Sequence, residues 1–359
     1  TETKLILRTK GDSILMNVYK NCLHQIQKKH YTWFITGVAG FIGSHLAETL
    51  LKLNQAVIGL DNFSTGKTAN IEEIQSSLTP LQQKNFTLFS GDIRDKELCF
   101  RASEGAGIIL HQAALASVPA SIEQPLLTHE VNVTGFLNIL EAARRSNARV
   151  VYASSSAVYG DTPGLPKTED MAPAPLSPYG LTKLQNEEYA ALYTALYGVP
   201  AVGLRYFNVF GPRQDPHGAY AAVIPAWITA LLKQQPASIY GDGDNTRDFC
   251  YIDNVVQANL LAATTENTQV FGKYFNIAGG NRLSLNELYT IICKTVSAFT
   301  GATAPSQPEY RPFRPGDIRH SYASIACAEQ KLGYNSAIDT TAGLERTVQW
   351  LSKLGDTHD

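Results

Sequence analysis

Short β-branched or aromatic runs alternate with longer amphipathic stretches along this chain from Tyr31 onward. The runs at 31–36, 56–60, 86–90, 107–111, 149–154 and 200–205 predict strands. The stretches at 42–53, 68–78, 95–102, 126–146 and 178–198 carry apolar residues at helical spacing and predict helices. Strand and helix in strict alternation predict an α/β fold with a doubly wound parallel sheet covered by helices on both faces. After Arg205 the rhythm changes. Turn-rich segments beginning at Gly211 and Gly241 alternate with helices near 221–233 and 253–264, which predicts a smaller C-terminal α/β lobe. The expected division is an N-terminal extension at 1–30, a nucleotide-binding domain at 31–205 with a return near 250–277, and a substrate lobe at 206–249 and 278–359. Val18 to Ile26 reads as one short amphipathic helix bracing the surface.

Helices 126–146 and 178–198 are apolar on more than one side. Val133, Leu137 and Leu140 neighbour a second stripe of Phe136, Ile139 and Ala143, and Tyr189, Tyr193 and Tyr197 recur every four residues. A helix apolar on two sides wants a partner on each.

Composition narrows the field. At 359 residues the chain exceeds the ~250–300 at which a single core stops growing, so two lobes around a cleft are expected. Thirty basic residues against 32 acidic ones leave a net charge of −2, which gives no electrostatic footprint for nucleic acid or an acidic membrane surface. There is no apolar run long enough to span a bilayer. Residues 1–30 show no hydrophobic signal core, so a cytoplasmic location is expected. Cys22, Cys99, Cys250, Cys293 and Cys327 are scattered and contain no CxxC pair, so neither a disulfide framework nor a metal site is expected.

The chemistry starts at Gly37-Val-Ala-Gly40-Phe-Ile-Gly43, which sits between the first strand and the first helix of the alternating pattern. Glycines there allow a tight turn, close approach of a diphosphate and tight helix–strand packing. The helix N-terminus adds free N–H groups and a partial positive charge. The second strand ends in Asp61, whose carboxylate can accept both hydroxyls of an adenosine ribose and would repel a 2′-phosphate, favouring NAD over NADP. This makes the sheet Rossmann-like. Asp92-Ile93, after the third strand, either flanks an adenine or is a polar turn residue beside a core isoleucine. Tyr179 and Lys183 are four residues apart, on one helix face. A nearby ammonium and a cationic nicotinamide would both favour the tyrosine phenolate. Ser154, Ser155 and Ser156 end a predicted strand at the sheet edge where α/β proteins bind ligands.

Taken in order, these motifs resemble the extended short-chain dehydrogenases/reductases, and within them the bacterial UDP-N-acetylglucosamine/UDP-N-acetylgalactosamine 4-epimerases. The resemblance runs from about Thr32 to Ala328. It is carried by Thr36-Gly-Val-Ala-Gly-Phe-Ile-Gly-Ser44, Asp61-Asn-Phe-Ser-Thr-Gly66, Gly91-Asp-Ile-Arg94, His111-Gln-Ala-Ala114, Ser154-Ser-Ser-Ala-Val-Tyr-Gly160, Arg205-Tyr-Phe-Asn-Val-Phe-Gly211, Arg247-Asp-Phe249 and Arg314-Pro-Gly-Asp317.

The resemblance implies that Tyr179 is the base, Lys183 its cationic partner, Ser155 the bridge to the sugar hydroxyl and Ser156 an auxiliary hydroxyl, with Ser154 structural. It implies tightly bound NAD, regenerated each turnover and held by Gly37, Gly40, Phe41, Ile42, Gly43, Asp61, Asn62, Ser64, Gly66, Asp92, Ile93, Gln112, Ala113, Ala114, Tyr179 and Lys183. The sugar nucleotide would meet Ser117, Ser155, Ser156, Tyr179, Asn208, Val223, Tyr240, Arg247, Arg314, Asp317 and Ser321. Arginine suits a diphosphate because its rigid fork pairs two oxygens at once. Tyr240 either stacks on uracil or is an ordinary core tyrosine. Ser321 stands where galactose-type epimerases place a bulky tyrosine, so an acetamido group would fit. The implied reaction oxidises the sugar at C4, turns the 4-keto sugar over and reduces its other face.

Several rivals share the fold. A 4,6-dehydratase or a uronate decarboxylase would need a carboxylate after Ser155, where Ser156-Ala157 stand. A 4-epimerase of a UDP-N-acetylhexosaminuronic acid, or of UDP-glucose and UDP-galactose, is the closer alternative, with Arg94, Arg213 and His320 as candidate contacts to a C6 carboxylate. A catalytically silent scaffold would be expected to lack Tyr179 or Lys183. The family also implies a homodimer through the two doubly apolar helices.

Overall fold

The computed structural model describes residues 18–216, 222–305, 307–313 and 318–355. Seven parallel strands form the central sheet: β1 (Thr32–Thr36), β2 (Ala56–Asp61), β3 (Phe86–Ser90), β4 (Ile108–His111), β5 (Arg149–Ser155), β6 (Ala201–Tyr206) and, after four short strands elsewhere, Lys273–Ile277. Those four are β7 (Val209–Phe210), β8 (Ser238–Tyr240), β9 (Thr246–Asp248) and β10 (Cys250–Tyr251), which makes the seventh sheet strand β11. The sheet order is β11-β6-β5-β4-β1-β2-β3. Chain order reverses between β1 and β4, and at such a switch point an open α/β sheet leaves a crevice at its carboxyl edge. The Rossmann-like α/β fold is therefore as expected.

β1 and β4–β6 are buried almost throughout, which suits strands covered on both faces. One core lies under helix Phe41–Lys52 and helix Ile252–Thr264 and includes Trp33, Ile35, Leu46, Leu50, Val202 and Ala258. A second lies under helix Gly135–Ser146 and gathers Phe34, Ile109, Phe136, Ile139, Leu140 and Val150.

Beyond the sheet, β7 pairs with β10, β8 with β13 (Glu309–Arg311), and β9 with β12 (Arg282–Ser284). These small ladders tie together segments beyond β6. At the other end of the chain, residues 18–28 form the short brace, with Cys22 and Ile26 buried and the Ile26 carbonyl accepting from Gln55 Nε2 at 2.9 Å.

Two expectations are corrected. The stretch 126–146 is not one regular helix: Pro125–His129 runs into a π-turn at Glu130–Thr134 before the helix Gly135–Ser146. A wide turn of this kind leaves no trace in a 3.6-residue pattern. Nor does this stretch offer two free apolar sides, because Val133, Phe136, Ile139, Leu140 and Ala143 are all buried within the chain. Exposed apolar residues include Leu126 at the start of this stretch and, on helix Pro178–Tyr197, Leu181, Leu192, Leu196 and Tyr197.

Candidate active site

The glycine turn is built so that side chains would not fit. Gly37 sits at φ +69, and a Cβ there would lie 2.8 Å from the Ala113 nitrogen. A Cβ on Gly43 would lie 2.1 Å from the Gly37 carbonyl oxygen. Backbone packed this closely leaves a cradle that a diphosphate can enter. Gly40 is the N-cap of helix Phe41–Lys52 and offers no side-chain cap, so the first amides of the helix remain available to an anion. Phe41 and Ile42 pack their side chains against the core. Any ligand contact they make is through those amides, and Gly43 serves the turn rather than the wall of the cleft.

The cleft beside this turn spans about 770 Å³ counting its open mouth and is lined by Gly37, Gly40, Asp61, Asn62, Ser64, Gly66, Asp92, Ile93, Gln112, Ala113 and Ala114, among others. Asp61 is 8% exposed. It accepts from the Ala39 amide at 2.9 Å and the Phe63 amide at 2.8 Å. Burial pushes its pKa above the usual carboxylate range against the pull of those amides. Gly66 closes over it, since a Cβ there would lie 2.8 Å from Asp61 Oδ1. Asp92 is held on both sides, by Arg94 (Nε to Oδ1, 3.0 Å) and by Asn62 (Nδ2 to Oδ2, 2.8 Å), and the Arg94 hydrogen bond keeps its carboxyl below the usual range. Gln112 is fixed by Tyr206 and Asn259. Glycine cradle, buried carboxylate and polar rim together fit a dinucleotide.

Further along the same edge, Ser177 caps helix Pro178–Tyr197, its Oγ accepting from the Gly180 amide at 3.1 Å. Pro178, with no amide to satisfy, starts the first turn. This places Tyr179 against the end of β5, where its phenol is hydrogen-bonded to Ser155. The Tyr179 amide is itself held by Ser121 Oγ at 3.1 Å. Lys183, 2% exposed, donates from Nζ to the Ala153 carbonyl at 2.8 Å and lies 5.9 Å from the Tyr179 ring centre. Burial pulls the Lys183 pKa down to about 8, while Glu187 opposes the shift. Among the protein's own groups, burial dominates at Tyr179 and raises its pKa, and Ser155 counters it. Ser156 opens a short 3-10 turn, whose Ala157 amide donates to Ser155 Oγ at 3.1 Å. Ser154 is buried and donates to Glu187 Oε1 at 2.5 Å, a structural position as expected.

The substrate-side residues are less tightly gathered. Arg247, on β9, donates from Nη1 to the Thr246 and Arg319 carbonyls at 3.0 and 3.3 Å. The Ser321 amide donates to the Thr246 carbonyl at 2.9 Å, which brings Ser321 alongside Arg247. Tyr240 is half-buried on β8 opposite Arg311, so it is not a core tyrosine. Asn208 adopts φ +32 and donates from Nδ2 to the Asp248 carbonyl at 3.0 Å. Val223 begins helix Val223–Leu232 and packs on the core. Ser117 caps helix Val118–Glu123, accepting from the Ala120 amide at 3.2 Å. Arg314 and Asp317 lie outside the described residues. Of the three candidates for a C6 carboxylate, Arg94 is spent on Asp92 and Glu130, and Arg213 is buried between Glu48 and Glu73. His320 alone stays on this side, with Nδ1 2.9 Å from Thr246 Oγ1.

Some organising residues escape sequence reasoning. Asp248 is fully buried and accepts from the Gly279 and Gly280 amides at 2.8 and 3.1 Å, tying β9 to the loop after β11. Burial pushes its pKa up to about 7. Asn132, inside the π-turn, donates to the Leu115 carbonyl and to Thr182 Oγ1 at 3.0 and 3.1 Å. Only the π-turn's geometry aims it there. Among the described residues, no helix is long and apolar enough to cross a membrane, and no cluster of metal-ligating side chains occurs.

Comparison with known proteins agrees with this geometry. Residues 33–278 match the NAD dependent epimerase/dehydratase family. A UDP-glucose 4-epimerase of Mycolicibacterium smegmatis is 36% identical over 319 residues, covering 88% of this chain and 97% of its own. The solved UDP-N-acetylglucosamine 4-epimerase of Methanobrevibacter ruminantium, in complex with UDP-N-acetylmuramic acid, is 35% identical with TM-score 0.82, over 91% of this chain and 99% of its own. A UDP-glucuronic acid 4-epimerase of Bacillus cereus, solved with NAD and a fluorinated UDP-sugar, is 30% identical with TM-score 0.79, over 90% of each chain or more. With residues 33–278 matched, a glycine turn at the head of the first sheet helix and Tyr179 and Lys183 on one helix, the chain belongs to the NAD dependent epimerase/dehydratase family.

Proposed function

We propose that this chain is a UDP-sugar 4-epimerase that interconverts UDP-N-acetylglucosamine and UDP-N-acetylgalactosamine. The observation that carries the acetamido specificity is Ser321. Its backbone is bonded beside Arg247, and its side chain is small where an aromatic ring would crowd the sugar's 2-substituent. The M. ruminantium relative's name points the same way. In the alternative UDP-hexosaminuronate reading, two of the three cations that could meet a C6 carboxylate are already paired elsewhere, which weighs against it. The glucose and galactose sugars are smaller and are not excluded by a small residue at 321.

In this reading residues 31–205, with the return at 250–277, carry the cofactor, and residues 206–249 and 278–359 carry the sugar nucleotide. NAD sits against Gly37, Gly40 and the amides that follow, with its adenosine ribose on Asp61 under the strap formed by Asn62, Ser64 and Gly66. Bound NAD supplies reversible two-electron oxidation at C4 of the sugar. Tyr179 takes the proton from the 4-hydroxyl and later returns it. Ser155, already bonded to that phenol, passes the hydrogen bond to the sugar oxygen. The Lys183 ammonium favours the phenolate, because a cation at short range in a dry site stabilises an adjacent anion. Arg247 holds the diphosphate, with Arg314 as its proposed second cation. Most of the acceleration comes from positioning and from the tuned phenol.

The exposed Leu181, Leu192, Leu196 and Tyr197 on one helix support a homodimer, expected in light scattering at twice the 39.2 kDa chain mass. A particle of single-chain mass at working concentration would refute it. The function is tested by a proton NMR time course of the purified, NAD-bearing protein with UDP-N-acetylgalactosamine and no added cofactor. Appearance of UDP-N-acetylglucosamine is expected. No conversion, with turnover of the corresponding uronic acid instead, would overturn the assigned substrate.

A further inference from the structure

A buried ion pair lies next to Lys183. Glu187 follows Lys183 by four residues on one helix face. Arg205, on β6, grips its carboxylate with two bonds, Nε to Oε1 at 2.8 Å and Nη2 to Oε2 at 2.7 Å. The two side chains are 0% and 2% exposed. The guanidinium also lies between two rings, 4.6 Å from the centre of Tyr159 and 3.7 Å from that of Tyr274. Stability alone does not account for such a pair, since apolar residues of similar volume often serve a core as well or better.

Its connections suggest another role. The end of β5 reads Ala153-Ser154-Ser155. The Ala153 carbonyl holds Lys183, the Ser155 hydroxyl bonds Tyr179, and Ser154 between them bonds Glu187. We propose that Arg205 is a positioning residue: paired with Glu187, it offsets the carboxylate's field at Lys183 and anchors the strand end that presents both Lys183 and Tyr179. This rests on the reading of Tyr179 and Lys183 as the proton-transfer pair.

The groups that face Lys183 are Tyr179 and Glu187 on its own helix and His111 from β4, which burial and Lys183 keep neutral. Tyr152, Tyr159, Tyr274 and Glu169 surround the ion pair itself. Glu187 without Arg205 would hold the ammonium charged to higher pH. Arg205 without Glu187 would drive its proton off sooner. With both present, burial still dominates at Lys183 and Glu187 opposes it in part.

The test is the pH dependence of kcat in the NAD-bearing enzyme, whose alkaline limb reports loss of the Lys183 proton. Glu187→Gln is expected to move that limb down by about one pH unit, a tenfold change in the proton equilibrium, and Arg205→Met to move it up by a similar amount. The double variant removes both charges at nearly constant volume and is expected to fold. Its limb should return to within about half a unit of the parent's. A limb that stays in place in both single variants, or stays displaced in the double variant, overturns the proposal. Should a single variant fail to fold, the double variant still decides: a limb displaced by about a unit or more refutes the offset. Activity surviving in Tyr179→Phe and Lys183→Met would instead refute the reading on which it rests.

Discussion

Replacing Gly43 by alanine sets a methyl group against backbone. The new Cβ would lie 2.1 Å from the Gly37 oxygen, 2.8 Å from the Gly37 carbonyl carbon and 3.0 Å from Val38 Cα. Carbon and oxygen need about 3.3 Å or more even in close contact, so turn and helix must separate by about an ångström. No flexible side chain is available to give way. Overpacking of this sort costs about 1–3 kcal/mol. At the ~2 °C per kcal/mol suited to a chain of this size, the melting temperature should fall by about 2–6 °C. In the proposed function the displaced turn also cradles the diphosphate, so a loss of about 1.4–2.8 kcal/mol there weakens NAD binding roughly 10- to 100-fold. The assay is NAD released per mole of protein on denaturation, measured beside the melting temperature. Gly107→Ala is the control, since a Cβ there meets nothing within 4 Å and Gly107 is not at positive φ. Gly43→Ala with the parent's NAD content and melting temperature would refute the steric argument.

Three further outcomes are expected. Tyr179→Phe should fold and hold NAD while losing nearly all turnover, and more than about a tenth of the parent's kcat would show that another group is the base. Ser321→Tyr should lose acetamido sugars while keeping the smaller UDP-hexoses, measured as the ratio of kcat/KM values, and an unchanged ratio would remove Ser321 as the size gate. The last prediction concerns acid stability. His111 is buried against Phe136 and has Nδ1 2.8 Å from Thr36 Oγ1. Burial, helped by Lys183, pulls its pKa down to about 3. A lowered histidine is neutral in the fold and takes its proton on unfolding, so its contribution is present above about pH 6.5 and is lost as pH falls toward 3. Between pH 6.5 and 5 that amounts to about 2 kcal/mol. Urea midpoints of His111→Asn should fall less steeply over that range, and an equal slope would contradict the assignment.

The alternation of strands and helices, the glycine turn and Asp61 were legible because each rests on local chemistry. Strand β1 runs directly into Gly37, and β2 ends at Asp61, within the stretches that periodicity marks. The Tyr179–Lys183 spacing likewise needs only one helix, and Ser177 and Pro178 start that helix where the pattern places it. The π-turn at Glu130–Thr134 and the aim of Asn132 were hidden, because a wide turn alters where side chains point without altering which residues are apolar. Arg213 and Arg94 looked available for substrate and are instead paired within the chain. A charge in sequence does not declare its partner.

By itself, then, the sequence determined the order of elements, the glycine turn and the placing of Tyr179 and Lys183 on one helix face, since these depend on residues within a few positions of one another. Only the tertiary structure decided which charges are committed, that Asp248 ties β9 to the loop after β11, and that Arg205 meets Glu187. The Arg205–Glu187 pair joins residues 18 apart and the Asp248 bonds join residues 31 and 32 apart, and only the fold brings them together. Once buried, they cannot fall back on water, so each must find its partner in the fold.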